Sequence, residues 1–133
     1  MPTFRAYADV QIGDVCPPTP ARFAVTQAIA DAFRAATLDD EPNPSAAPSM
    51  LAAVYLIQVL QSRGSPPGGV HAKQSVRFHR RLAVGDVLLT SGTVTDKFWR
   101  KERPYVVMAF ETRDAQGALV ASGVTTSIWG AAA

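Results

Sequence analysis

The sequence predicts an α+β fold in which a curved antiparallel sheet wraps a long apolar helix. Three observations predict it: a segment apolar on nearly every face between Ser49 and Arg63, a switch to period-two alternation after Gly69, and turn signals that cut the remainder into long strands. Taken in order, Ala21 to Val25 reads as a short strand-like piece. Thr26 then caps a helix in which Ile29, Phe33 and Ala36 fall at i, i+4 and i+7. That helix ends in LDDEPNPSAAPSML, because residues before Pro42, Pro44 and Pro48 are pushed out of the helical region.

Ser49 is expected to cap the second helix, MLAAVYLIQVLQSR, which Gly64 closes in a left-handed conformation. Met50, Leu51, Val54, Tyr55, Leu56, Ile57, Val59 and Leu60 cover almost all of its circumference, the pattern of a helix surrounded by other structure. After Ser65-Pro66-Pro67-Gly68-Gly69, the apolar residues Val70, Ala72, Val76 and Phe78 alternate with His71, Lys73, Ser75, Arg77 and His79. This is a strand with one core face and one polar, largely basic face. Val84-Gly85-Asp86 turns into a strand from Val87 to Trp99, the charged tip Arg100 to Arg103 leads to Tyr105 to Arg113, and Asp114-Ala115-Gln116-Gly117 leads to Ala118 to Trp129. Four strands in succession predict an antiparallel meander. A helix of this length spans about 21 Å at 1.5 Å per residue, comparable with the strands, so the sheet is expected to wrap it as in the hot-dog fold. The sheet's free edges predict pairing between two copies.

With 133 residues, 47% of them hydrophobic, the chain is expected to be one domain, residues 1–133, with 130–133 a frayed tail. Thirteen basic and eleven acidic residues give a net charge of +2, too mild to argue for a nucleic-acid or membrane surface. The single cysteine, Cys16, excludes an internal disulfide and a thiolate zinc cluster, and lies in CPPTP without a neighbour that would activate it. No signal peptide or membrane span is read, so the expected location is cytoplasmic. No phosphate-loop motif or metal-ligand cluster is present in the sequence, and no cofactor is expected.

FRAATLDDEPNP, APSML, GGVHAKQSVRFHRRLAVGDVL and DAQGALVASGVTTSIW occur in an order and spacing that resemble MaoC-like dehydratases and (R)-specific enoyl-CoA hydratases, over roughly residues 20 to 129. The Gly-Gly-x-His strand is most similar to the non-catalytic half of two-part dehydratases. The resemblance implies a hot-dog fold and an enoyl-CoA or 3-hydroxyacyl thioester substrate. Family members with hydratase activity carry Asp-x-Asn-Pro-x-His, whose Asp and His hold and deprotonate a water. Here Glu41 stands in the Asp slot, with Asp40 beside it, and Ala46 stands in the His slot. The insertion that the family places before its central helix has no counterpart. Ser49 stands where the hydratases have a glycine whose amide binds the thioester oxygen.

Hydration of an enoyl thioester needs a base, an acid, and donors aimed at the oxygen where enolate charge develops. The candidate catalytic residues are Asp40 in the acidic loop and His71, which would reach across a dimer interface to replace the missing imidazole. The candidate substrate-binding residues are Asn43, Ser49 and Met50, the last two through amides at the start of the central helix, together with Lys73 and Arg77 for coenzyme A or phosphopantetheine phosphates. Beside each stands a plainer reading: Ser49 as a cap, Asn43 as a turn former, and the basic set Lys73, Arg77, His79, Arg80 and Arg81 as a solvated face. The incomplete dyad implies work as a homodimer or as a heteromer with a catalytic hot-dog subunit, on acyl-CoA or an acyl-carrier-protein thioester. The alternatives are an acyl-CoA thioesterase using Asp40 or Glu41, and a non-catalytic acyl-CoA-binding hot-dog protein.

Overall fold

Thr26 is extended, and its side chain accepts the Ile29 amide at 3.2 Å, which starts helix α1, Gln27–Thr37. The helix closes at Leu38, whose φ of 57° is left-handed and whose amide donates to the Arg34 carbonyl. These elements belong to a computed structural model that describes residues 3–53 and 56–131. Strands β1 (Val15–Ala24), β5 (Val87–Arg100), β6 (Arg103–Asp114), β7 (Leu119–Ile128) and β3 (Val70–Phe78) form one antiparallel sheet in the order β1-β5-β6-β7-β3. The short strands β2 (Ala46–Ala47) and β4 (Leu82–Ala83) pair beside it.

Three expectations need correction here. The four-strand meander holds for β5, β6 and β7, but β3 crosses to the far edge beside β7, and β1 takes the place next to β5. Strand β1 is also longer than Ala21 to Val25: its prolines fit because it is an edge strand whose pairing breaks between Cys16 and Ala21. The regular alternation expected along β3 fails at Ala72, where a register shift between His71 and Lys73 puts those two residues on opposite faces. Most of β3 is exposed, including Val70 and Phe78, because it lies at the sheet edge.

The concave face holds the helical segment after residue 48. It begins as a 3₁₀ turn, Ser49–Ala53, and continues as α2, Leu56–Ser62; Val54 and Tyr55, which the sequence places mid-helix, lie outside the described residues. The turn starts with the Leu51 amide on the Pro48 carbonyl at 3.0 Å, and the Ser49 hydroxyl makes no capping bond among the described residues, contrary to expectation. Leu51 and Ala52 pack with Phe23, Ala30, Leu88, Val120 and Ala121; Leu56 and Val59 pack with Val94, Val106, Met108, Phe110 and Trp129. At Gly92 the backbone meets the helix so closely that an added Cβ would stand 2.8 Å from Val59 Cγ1. Gly64, at φ 75°, ends the segment as expected.

Where the two core clusters meet, the Thr112 hydroxyl donates to the Ala52 carbonyl at 2.9 Å. That donation fixes the next bond, so Thr90 donates to Thr112 across 2.9 Å. Replacing Thr112 with Val keeps the shape but strands a buried carbonyl and a buried hydroxyl. The expected loss is about 1–3 kcal/mol, read as a lower urea midpoint at unchanged slope.

Arg80 reaches both carboxylates of a second clamp, Asp86 at 2.9 Å and Asp114 at 3.1 Å. The Ala118 amide, then the Arg80 guanidinium and the Gln116 amide, hold Asp114 below the usual carboxylate range. Burial pushes Asp86 up, but Arg80 and the Ala83 amide outweigh it and leave it lowered. Groups with depressed pKa stabilise the fold fully above their unfolded value of about 4, and that contribution disappears as pH falls through the folded value. Acid denaturation followed by circular dichroism should therefore show stability falling below about pH 4, with a shallower fall in Asp86→Asn/Asp114→Asn.

Candidate functional site

The loop after α1 is built by side chains turned back on its own backbone at every second residue. Asp39 Oδ1 accepts the Glu41 amide at 3.1 Å, Glu41 Oε1 accepts the Asn43 amide at 3.1 Å, and Asn43 Oδ1 accepts the Ser45 amide at 3.1 Å and hydroxyl at 2.8 Å. Asp40 falls between these positions, is exposed, and has no hydrogen-bond or ion-pair partner among the described residues. Gln27 ties the loop to α1 through the Pro44 carbonyl at 3.0 Å, and Arg34 Nη2 donates to the carbonyls of Ala46 and Asn43. The pairing of Ala46 with Ala83 then fixes where the chain enters the concave face.

The result is a cavity of about 250 Å³ lined by Arg34, Asp39, Glu41, Pro48, Ser49 and Arg81, with Ala46, Ala47 and Leu82 as its apolar wall. The Arg81 guanidinium has no partner among the described residues. Since turn bonding begins at Leu51, the amides of Ser49 and Met50 precede it. Two carboxylates, two guanidiniums and the start of a helical turn thus share one opening. Such a set can bind an anionic or polarised carbonyl group and hold a water.

The sequence-predicted site residues are not all brought together. Ser49 lines this cavity, while Asp40 is not among its lining residues and Met50 is exposed. Asn43 closes its own turn. His71 lines a different cavity with Arg63 and Ser127. Lys73 faces the outer side of the sheet, in a groove of about 450 Å³ with Phe98, Val107 and Val124, and Arg77 is exposed on that side of the strand. The basic set also divides: Arg80 is engaged by Asp86 and Asp114, and His79 Nε2 is 2.8 Å from the Ser122 hydroxyl. Cys16 is buried, and burial pushes its thiol pKa up, as its inert reading requires.

Arg34 and Asp39 were missed by sequence reasoning. The signal for Asp39 was its residue type, since Asp39 and Asn43 both favour a bond to the amide two positions on, while Glu41 between them has no such preference. For Arg34 no local pattern separates it from any other charged residue in a helix's last turn.

No family model matches the chain, and no curated protein matches it in sequence. Its solved structural neighbours include an (R)-hydratase from A. caviae involved in PHA biosynthesis, with a TM-score of 0.75 and 20% identity, covering 91% of this chain and 98% of that one. A MaoC-like dehydratase from Rhodospirillum rubrum follows at TM-score 0.72 and 20% identity, covering 95% and 97%. The HadBC 3R-hydroxyacyl-ACP dehydratase complex from Mycobacterium tuberculosis gives TM-score 0.71 and 20% identity, covering 90% and 98%. The chain therefore has the hot-dog fold of MaoC-like hydratases and dehydratases, an antiparallel sheet curved around its central helical segment.

Proposed function

We propose that this chain is the acyl-thioester-binding subunit of a hot-dog hydratase or dehydratase, acting on acyl-CoA or an acyl-carrier-protein thioester, and that a second subunit supplies the catalytic Asp/His pair. One observation carries the reading: the acidic-loop cavity holds carboxylates and guanidiniums but no imidazole. The chain has two histidines; His71 lines another cavity and His79 is bonded to Ser122. Ala46, in the slot where hydratases of this type carry the histidine, offers a methyl group inside the β2–β4 pairing.

In this reading the Ser49 and Met50 amides receive the thioester oxygen, and the free Arg81 guanidinium meets a phosphate of the carrier. Asp39 and Glu41 shape the loop, leaving Asp40 as the carboxylate not engaged by the backbone. Neither Lys73 nor Arg77 lines this cavity, so carrier phosphates are assigned to Arg81 instead. The exposed edge of β3 presents unpaired backbone groups along its length, the natural seat of the second subunit. The complexes HadBC and ChsH1-ChsH2 from Mycobacterium tuberculosis support a two-subunit arrangement by fold.

The purified chain should bind crotonyl-CoA without loss of the enoyl absorbance and without release of free thiol. Arg81→Ala should weaken binding about tenfold, the loss of one charge-assisted contact. Absorbance loss that Asp40→Asn abolishes would instead make the chain a complete hydratase. Thiol release would make it a thioesterase, a reading favoured by carboxylates without histidine.

Pairing through β3 has its own check. Without its catalytic partner the chain should pair with itself through the same edge and sediment as a dimer, and Val70→Lys/Phe78→Lys, which charges both faces of that edge, should sediment as a monomer with an unchanged circular dichroism spectrum.

A further inference from the structure

Arg63, at the end of the helical segment, is only 8% exposed, yet none of the four ion pairs among the described residues includes it. Its Nε donates to the Leu60 carbonyl at 3.1 Å, its Nη1 donates to the Ser127 hydroxyl at 3.1 Å, and its guanidinium lies 5.4 Å from the Trp129 ring centroid. Nη2 has no hydrogen-bond partner among the described residues and is not one of their enclosed unpartnered atoms, so it is accessible. Burial pushes the pKa down, though a guanidinium keeps its charge at any physiological pH. A buried cation without a carboxylate is costly unless an anion reaches it.

The opening for that anion exists. Arg63 lines a cavity of about 360 Å³, separate from the acidic-loop cavity and at the other end of the 49–63 segment. Ser127 and His71 stand beside it, and the register that pairs His71 with Ser127 sets the imidazole on the same face of the sheet as the hydroxyl Arg63 holds. Leu60, Val70, Pro66 and Ile128 make the rest of the wall apolar. A guanidinium takes carboxylate or phosphate oxygens side by side, and an apolar wall suits a short aliphatic body.

We propose that this cavity is a second ligand site, taking a small organic anion whose carboxylate or phosphate sits on Arg63 and whose apolar part lies against Leu60, Val70 and Ile128. The proposal is independent of the thioester chemistry at the acidic loop. Arg63 and its neighbours alone carry it.

Trp129 makes the test direct. In a Trp99→Phe background it is the remaining tryptophan, and its fluorescence reports on the guanidinium beside it. Titration of the full chain with butyrate and with inorganic phosphate, at ionic strength matched with chloride, should give saturable binding of one anion per chain and a raised melting temperature. Tighter butyrate binding than acetate binding shows the apolar wall in use; tighter phosphate binding than butyrate binding assigns the head group to phosphate. Arg63→Gln should reduce affinity at least tenfold. Should that variant fail to fold, Gln61→Glu does the same work from an exposed position on the rim, supplying an internal carboxylate. No saturable binding of either anion to the wild type, or binding unchanged in Gln61→Glu, overturns the proposal.

Discussion

The whole arrangement depends on putting a helical backbone inside a curved sheet without stranding its polar groups. The constraint is sharpest at Ala52, inside the 3₁₀ turn, where a carbonyl is buried against the concave face. Thr112 answers it from near the end of β6, and Thr90 completes Thr112 from β5. The same two strands come close enough to do so because β5 carries Gly92 opposite Val59. Sheet curvature, helix position and the place where the loop enters the concave face are therefore set together. The acidic-loop cavity and the Arg63 cavity lie at the two ends of that one segment.

Much of this was legible in the sequence, and the failures have physical causes. The capped first helix, the proline-broken loop and the three strands from Val87 onward are governed by local rules, so Thr26, Gly64 and the turn at Asp114 could be read in place. Strand order is non-local: nothing between Val70 and Phe78 says that this strand will lie beside β7. Prolines hid the first half of β1, since only its edge position makes them acceptable. Ile12-Gly13-Asp14 reads as a turn before a strand and is one. The segment ahead of it left no pattern, yet it is held by Lys97 Nζ on the carbonyls of Tyr7 and Val10 at 2.8 Å and by Trp129 Nε1 on the Arg5 carbonyl at 2.8 Å. At the candidate site, residue types in the loop were readable, but which side chains would be used up by their own backbone was not.

Four arginines illustrate why composition says so little here. Arg80 is spent on two carboxylates and acts as a clamp between turns. Arg34 is spent on loop carbonyls. Arg81 is free at a cavity, and Arg63 is buried without a carboxylate. As sequence they are equal charges. In the fold Arg80 is taken up by carboxylates, Arg34 spends Nη2 on the loop and keeps a buried Nε without a partner among the described residues, and Arg81 and Arg63 keep donors facing cavities.

The irregularity at Ala72 fixes the phase of the edge strand. On one side of it, His71 belongs to the concave face; on the other, Lys73 and Arg77 belong to the outer face. A substitution in this strand changes one side chain, whereas losing or gaining one residue near Ala72 would exchange the two faces for everything beyond it. The strand's chemistry is thus written in its reading frame as much as in its letters. Changes of length there would redirect the imidazole and the basic residues wholesale, with no change in which residues are present.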